Sequence, residues 1–375
     1  MAGAELSTIA TYCVVSLTLS AGISCYAQTV GKVLRLMDRP DGVRKLHETD
    51  TSLIGGLALL VPSFGVSIVY LSMVAHAPFL VVAVAVASLT LVIGLIDDRS
   101  GLSPVWRLLL LMFLTFTAFS LEPLFVLHTL YLKIGGIGIS LSLDPFAAPV
   151  TALIILGFVN ASNMADGMNG QLLGSVMIWC LLISRHLGAE AAFPFVAVFC
   201  SAVVTIIFNL RGRFFSGSSG AYAASLFVAL GAIAAYRQSN GTMPAQMPLY
   251  WFWLPVLDCA RLMVSRVLAG KSPMAGDRNH FHHMLHDYMR MRYALLVYLG
   301  LLAAPGVAAE IRGSLGNVVL LLCVSGYAAF MVMQRMRRTR QRTLDASLPS
   351  AQRTLTFAVS QRARITDAAA QTPAE

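Results

Sequence analysis

Charged residues are scarce in this 375-residue chain. Asp, Glu, Lys and Arg together make up only 12% of it, whereas 57% of the residues are hydrophobic. Soluble domains typically carry about a quarter of their residues as charged side chains. The shortage therefore excludes an ordinary water-soluble globular protein, and apolar runs of roughly 20 residues, the length that crosses a bilayer core, recur along the whole sequence.

The cysteines form no closely spaced pairs, and the first apolar run does not have the pattern of a cleavable leader. The six cysteines lie in or near apolar runs, and none forms a Cys-x-x-Cys pair. This pattern argues against a disulfide framework, a zinc ribbon or a redox motif. The first apolar run has no basic segment before it and no obvious small-residue cleavage site, so we interpret it as a membrane span and not as a signal peptide.

The apolar runs predict an all-α, polytopic integral membrane protein with about ten or eleven transmembrane helices. The predicted spans are Leu6–Ala27, Leu53–Val74, Phe79–Ile96, Val105–Leu124, Phe146–Ala165, Gln171–Ile183, Ala191–Phe208, Ala221–Ala235, Met247–Val267, Tyr293–Val307 and Val318–Met333. They form one predicted transmembrane domain at residues 1–334. Residues 335–375 are rich in Arg, Ala, Thr and Gln, and we predict a basic, disordered cytoplasmic tail there.

Successive loops between spans lie on alternating sides of the membrane and so form two sets. The basic residues are divided unequally between these two sets. Of the 27 Lys and Arg residues, 23 fall in one set or in the tail; the other set holds Lys133, Arg185, Arg237 and Arg312. The positive-inside rule makes the first set cytoplasmic, with the N-terminus periplasmic and the C-terminus cytoplasmic. The net charge of +9 then reflects topology. The basic residues are dispersed over separate loops, which argues against nucleic-acid binding. Apolar and other residues alternate over Leu130–Leu143, a pattern that predicts a short external β-hairpin.

Two adjacent carboxylates, Asp97 and Asp98, close the third span. They repel each other, and a divalent cation or a nearby arginine relieves that cost. Mg²⁺ is the natural cation because it prefers carboxylate and phosphate oxygens. Arg107, at the start of the next span, is placed to meet a phosphate. The alternative is a solvated helix end, although negative charge there is unfavourable against the helix dipole.

A row of polar side chains ends the fifth span. Asn160, Asn163 and Asp166 are three residues apart, so we expect them to share one helix face, and Asn169 follows in a glycine-flanked turn. Polar groups at membrane depth need a protected, wet site or partners. We therefore predict a binding site here; a polar cap that bonds to neighbouring helices is the alternative.

A histidine segment lies in the longest internal loop of the cytoplasmic set. It reads Asp277-Arg278-Asn-His280-Phe-His282-His283. Clustered histidines without cysteine are a weak indication of zinc, whereas imidazoles beside an arginine suit phosphate oxygens. An exposed polar loop is the alternative.

Asp258 and Arg261 lie upstream, three apart in the ninth span. They can pair on the helix face, which would satisfy two charges that are costly in a membrane. A purely structural role explains this pair equally well.

Taken together and in this order, the motifs resemble those of the polyprenyl-phosphate N-acetylhexosamine-1-phosphate transferases. The resemblance rests on Asp97-Asp98, on the Asn-x-x-Asn-x-x-Asp-Gly-x-Asn-Gly run that begins at Asn160, and on the Asp-Arg-x-His-x-His-His segment. Arg44-Lys45-Leu-His47, followed by two glycines, is similar to the family's first cytoplasmic loop. The match extends from about Arg44 to about His286.

The resemblance implies a multi-pass enzyme of the bacterial inner membrane. Such an enzyme transfers an N-acetylhexosamine 1-phosphate from a UDP-amino sugar to undecaprenyl phosphate in the bilayer and releases UMP. Its cofactor is Mg²⁺, with Mn²⁺ as the alternative ion. The expected pathway is the first membrane step of cell-envelope polysaccharide or O-antigen synthesis. Dimers are common among relatives, so a homodimer stays open.

Site roles follow from the same resemblance. Asp97 looks like the carboxylate nearest the lipid phosphate, Asp98 like its partner, and Asp166 like a nucleotide-side residue; these are the candidate catalytic residues. Asn163 and Asp98 are candidate metal ligands. The candidate substrate-binding residues are Lys45, His47, Arg107, Asn160, Asn169, Arg278, His280, His282 and His283.

One departure from the family pattern concerns the metal. Phe208-Asn209 and then Phe215-Ser-Gly-Ser218-Ser-Gly resemble the family's Phe-Asn…Phe-x-Gly-Asp-x-Gly segment, so Ser218 stands where the family has a magnesium-binding Asp. Serine is neutral and a poor magnesium ligand, and we expect weaker metal binding. Two alternatives therefore stay open: a weakened or inactive member that binds substrate without turnover, and a membrane transporter, which would place polar groups toward both faces.

Overall fold

The computed structural model describes residues 2–39, 50–74, 77–134, 136–273 and 279–347. Within these ranges the chain is a helical bundle with two short antiparallel strand pairs. The helices are α1 Ala2–Cys25, α2 Ala27–Leu34, α3 Gly55–Met73, α4 Pro78–Ser100, α5 Pro104–Leu121, α6 Ala147–Ala165, α7 Gln171–Ser184, α8 Ala189–Leu210, α9 Gly217–Gln238, α10 Gln246–Leu268, α11 Phe281–His286, α12 Met291–Ile311 and α13 Gly313–Ser347. The strands are β1 Met37–Asp38, β2 Thr51–Ser52, β3 Thr129–Ile134 and β4 Ile137–Ser142.

Each of the eleven predicted spans is a helix, which confirms the all-α, multi-pass prediction. In the described part of the chain, nine of these helices are long and apolar enough to cross a membrane. The other two differ in kind: α7 has only 14 residues, and α10 has 23 but carries Asp258, Arg261 and Arg266. Charged side chains inside a span are expensive unless they are paired.

The C-terminal helix extends further than predicted. α13 continues to Ser347, so the prediction of disorder is wrong for residues 335–347, while residues 348–375 lie outside the described ranges. Arg, Gln and Met favour helix, and a helix already formed is easily extended. Contacts also hold the extension, because Arg338 Nη1 donates to Asn279 Oδ1 at 2.6 Å and the Arg337 guanidinium lies 5.0 Å from the centre of the Tyr288 ring.

Helix α9 is the centre of the bundle. It is almost completely buried and packs against α3, α4, α6 and α7. Its first turns are rich in Gly, Ala and Ser, small residues that allow helices to approach closely in membranes. At Gly94 of α4, an added Cβ would fall well inside van der Waals contact with the Ser219 backbone. This contact brings the end of α4 against the beginning of α9.

The connections between helices meet at two opposite ends of the bundle. At one end, β3 and β4 form the predicted hairpin, and the Tyr131 N–H donates to the Tyr236 hydroxyl at 2.7 Å. At the other end, the Phe215 N–H donates to the Ser52 carbonyl at 2.8 Å and the Gly55 N–H to the Phe215 carbonyl at 3.0 Å. Loops that were predicted to share a membrane side therefore lie together.

Candidate active site

The end of α4 supplies a neutralised carboxylate. Asp97 is only 8% exposed, and its Oδ1 accepts the Leu102 N–H at 2.9 Å. Its Oδ2 lies 3.5 Å from Arg107 Nη1 and accepts from the Tyr222 hydroxyl at 3.3 Å. The expected basic neighbour of the acidic pair is thus present, and it contacts Asp97. Tyr222, which the sequence pattern did not single out, is the third member of this group.

Asp98 has a different environment from Asp97. Its Oδ1 accepts the Ser218 N–H at 2.7 Å, and its Oδ2 accepts the Ser219 N–H at 3.0 Å. These are among the first amides of α9, where the helix dipole favours negative charge. The carboxylate therefore caps α9 from another helix. The position that lacks the family's acidic residue, Ser218, is bonded to Asp98 through its backbone.

The polar row of α6 extends to the residue that caps the helix. α6 ends at Ala165, and Asp166 is its C-cap with φ −74° and ψ 73°, so Asn160, Asn163 and Asp166 keep the helical spacing that was predicted. The Asp166 N–H closes the last turn by donating to the Ser162 and Asn163 carbonyls, and the chain changes direction after it. Asn160 also bonds within α6, since its Nδ2 donates to the Leu156 carbonyl at 2.8 Å.

The end of α6 places Asp166 among the other site elements. Its carboxylate accepts from the Leu172 backbone and from Ser216, and it is repelled by Asp98. Desolvation by the surrounding protein raises the pKa of Asp166 to about 7, with the Asp98 charge adding to the effect and the two hydrogen bonds opposing it. Asp166 therefore takes up a proton more readily in the folded protein than in the unfolded chain.

Replacing Asp166 by Asn should stabilise the metal-free protein at alkaline pH. The folded-state pKa, about 7, lies above the ordinary value of 3.8, so the folded wild type loses stability as pH rises between these values. An amide does not titrate. In EDTA and detergent, we expect the variant's melting temperature to exceed that of the wild type by roughly 2–5 °C at pH 8 and the gain to vanish near pH 4. A gain that is independent of pH would contradict the raised pKa.

Asn209 connects two segments of the site through its side chain. The sequence motifs indicated this residue only as part of a Phe-Asn pair. It is 2% exposed, its Oδ1 accepts the Gly170 N–H, and its Nδ2 donates to the Phe214 carbonyl at 2.8 Å. It therefore joins the turn after Asp166, where the partly buried Asn169 lies, to the segment that precedes α9. The available signal was an amide at the end of an apolar helix.

The histidine segment covers the end of α6. His282 is 1% exposed, its Nδ1 lies 3.5 Å from Gln171 Nε2, and its ring is so close to Gly167 that any Cβ there would overlap the imidazole. The rings of His280 and His282 are stacked at 5.4 Å and 13°, and His283 lies 4.2 Å from His282. Three distant sequence motifs therefore meet at one end of the bundle.

Three predicted substrate-binding residues, Lys45, His47 and Arg278, lie outside the described residues. Among the residues that are described, no group of three His, Cys, Asp or Glu side chains could hold a metal ion by itself. The two carboxylates of Asp98 and Asp166 nevertheless repel each other, which a cation would relieve, and Mg²⁺ commonly needs only one or two protein carboxylates because water and substrate phosphate complete its shell. The donor set fits such an ion.

Comparisons with known proteins indicate one class of relatives. Residues 79–236 match the family described as "Glycosyl transferase family 4". The chain is 26% identical to an undecaprenyl-phosphate alpha-N-acetylglucosaminyl 1-phosphate transferase of Escherichia coli (strain K12), over 79% of this chain and 83% of that protein. It is 28% identical to a decaprenyl-phosphate N-acetylglucosaminephosphotransferase of Mycobacterium leprae (strain TN), over 85% of this chain and 90% of that protein. Over these central residues the chain is similar to glycosyl transferase family 4, and its apolar helices make it a multi-pass membrane protein whose relatives are named as N-acetylglucosamine phosphate transferases.

Proposed function

We propose that the protein transfers an N-acetylhexosamine 1-phosphate from a UDP-amino sugar to undecaprenyl phosphate and releases UMP. One observation carries the proposal: Asp97, Asp98, Asp166 and His282, from three distant motifs, converge around the first two turns of α9 and the turn that follows α6. The basic loops at this end favour the cytoplasmic side of a bacterial inner membrane. The names of the relatives favour the reaction class, and the first step of envelope polysaccharide synthesis is its natural place.

The proposed reaction joins two anions, so the protein must mainly position them and neutralise charge. An oxygen of the lipid phosphate attacks the β-phosphorus of the UDP-sugar, and the bond from that phosphorus to the bridging oxygen breaks, so that UMP leaves. Asp97 faces the lipid phosphate. Arg107 and the histidine segment provide donors to the diphosphate.

A magnesium ion fits beside these groups. Asp98, Asp166 and Asn163 would hold it together with water and the diphosphate, and it would supply neutralisation of phosphate charge. Because both Asp98 oxygens already accept amides of α9, the protein's share of the coordination falls more heavily on Asp166 and Asn163.

UMP release tests the proposal directly. Purified protein receives undecaprenyl phosphate and a mixture of UDP-amino sugars, with UDP-N-acetylglucosamine included because the named relatives act with N-acetylglucosamine. We expect UMP release that requires the lipid and Mg²⁺, and a lipid-linked sugar phosphate in the mass spectrum. Nucleotide binding without UMP release would instead identify an inactive binder, and movement of lipid without a new bond would identify a transporter. The relatives are named as transferases, which favours turnover.

Restoring the family's acidic residue should strengthen metal binding. In Ser218→Asp, a third carboxylate joins Asp98 and Asp166, and the Mg²⁺ concentration for half-maximal UMP release should fall by about tenfold. Ser218→Asn is the matched control, since it has the same size without the charge and should leave the Mg²⁺ requirement unchanged. An equal shift in both variants would mean that charge at this position does not reach the metal.

A further inference from the structure

Asp258 is not used by the proposed reaction, yet it is buried, with 3% exposure, and both its oxygens are engaged. Oδ1 accepts from Arg261 Nη2 at 2.8 Å and from the Tyr327 hydroxyl at 2.7 Å. Oδ2 lies 3.0 Å from His280 Nδ1 and accepts the Phe281 N–H at 3.2 Å. The predicted pair with Arg261 is confirmed, and it is one part of a larger network.

The two oxygens of Asp258 face different parts of the molecule. Oδ1 is tied to α10 and α13 through Arg261 and Tyr327, which also bond to each other at 2.7 Å. Oδ2 holds the beginning of the histidine segment, where Arg261 Nη2 additionally donates to the Asn279 carbonyl at 2.6 Å. Asp258 therefore links the rigid helices to the segment that covers the site.

This link controls the direction of one imidazole. When His280 Nδ1 faces Asp258, its other nitrogen, Nε2, is on the opposite side of the ring. The ring is stacked nearly parallel on His282, whose own ring lies on Gly167, directly after Asp166. A continuous series of contacts thus runs from Asp258 through the two histidines to the turn that carries Asp166.

We propose that Asp258 is a positioning residue for transfer: it fixes the ring of His280 so that Nε2 is presented to the diphosphate of the sugar nucleotide. This inference rests on the proposed function, because it assigns the diphosphate as the group that His280 meets. Carboxylates that orient a histidine through its second nitrogen serve the same purpose at metal sites, where their loss costs about 10–100-fold.

A double-mutant cycle separates positioning from plain stabilisation. Wild type, Asp258→Asn, His280→Gln and the double variant are compared for kcat/KM in UMP release and for the Kd of the UDP-amino sugar by calorimetry. When His280 is present, we expect Asp258→Asn to lower kcat/KM by about 10–100-fold. When residue 280 is glutamine, the same substitution should have no further effect on kcat/KM. Equal losses in both backgrounds would overturn the proposal, since Asp258 would then act on something other than His280.

Two controls keep the outcome interpretable. Tyr327→Phe removes a hydrogen bond from Oδ1 and leaves the contact with His280 in place, so its kcat/KM should stay within about threefold of wild type. If Asp258→Asn does not fold, Asp258→Glu, which keeps the charge beside Arg261, takes its place in the same cycle. If the wild type releases no UMP, the proposed function fails, while the binding cycle still shows whether Asp258 and His280 are coupled.

Discussion

Replacing Asp97 by Asn is expected to reduce sugar-phosphate transfer by about 10³-fold, the size of the loss when one preorganised electrostatic contact at a reacting group is removed. The amide oxygen can still accept the Leu102 N–H, so the end of α4 should keep its shape. The amide has no charge to balance Arg107, however, and its NH₂ would face that guanidinium. The measurement is UMP release at saturating substrates, together with the melting temperature.

The matched control for Asp97 is Asp144→Asn. Asp144 is an exposed carboxylate beside the β3–β4 hairpin and pairs with His128 at 2.9 Å, at the end of the bundle opposite to the site. Its amide variant should transfer at the wild-type rate. If Asp97→Asn were as active as this control while equally folded, Asp97 would have no part in catalysis.

Gly94→Ala should cost both stability and activity, although it adds a single methyl group. The new Cβ would meet the backbone of Ser219, which cannot move aside as a flexible side chain could. α4 must then shift away from α9, and Asp98, one turn further along, would lose its bonds to the first amides of α9. Overpacking of this kind costs about 1–3 kcal/mol, and a displacement near 1 Å at the site lowers the rate by about a hundredfold.

Gly157→Ala provides the comparison for Gly94. Gly157 lies in α6, and an added Cβ there has no atom within 4 Å. Alanine favours helix over glycine by about 1 kcal/mol, so this variant should melt at or slightly above the wild-type temperature and remain fully active. The melting temperatures and UMP release rates of Gly94→Ala and Gly157→Ala are compared. Equal values for the two variants would show that α4 and α9 are not in tight contact.

Much of the architecture could be predicted because the bilayer restricts the choices. Within a membrane every backbone polar group must be bonded inside its own segment or barrel, so each apolar run of sufficient length is a helix; all eleven predicted segments are helical, and nine of those helices in the described residues are long and apolar enough to cross a membrane. The hairpin after α5 was predictable because apolar residues alternate along it and glycines lie where the chain turns. The polar motifs also stood out, because amides and carboxylates are rare in so apolar a chain.

Local pattern was insufficient where long-range contacts decide the geometry. The three-residue spacing predicted where Asp166 lies on α6, but it could not predict that Asp166 meets Ser216 and Asp98 from other parts of the chain. The loss of apolar periodicity predicted disorder after Gln334, but apolar periodicity reflects burial, and an exposed helical extension can lack it. The composition of this segment was interpreted correctly, and its backbone conformation was not.

The sequence alone determined which segments are helices, which end of the bundle is basic, and which side chains carry chemistry, because hydropathy, charge and residue type are local properties. Only the tertiary structure decided how those side chains are used. Asp98 caps α9, Asn209 joins two turns, and Asp258 orients His280. Each of these contacts depends on how closely packed helices approach one another, and that distance is set by the whole bundle and not by any single segment.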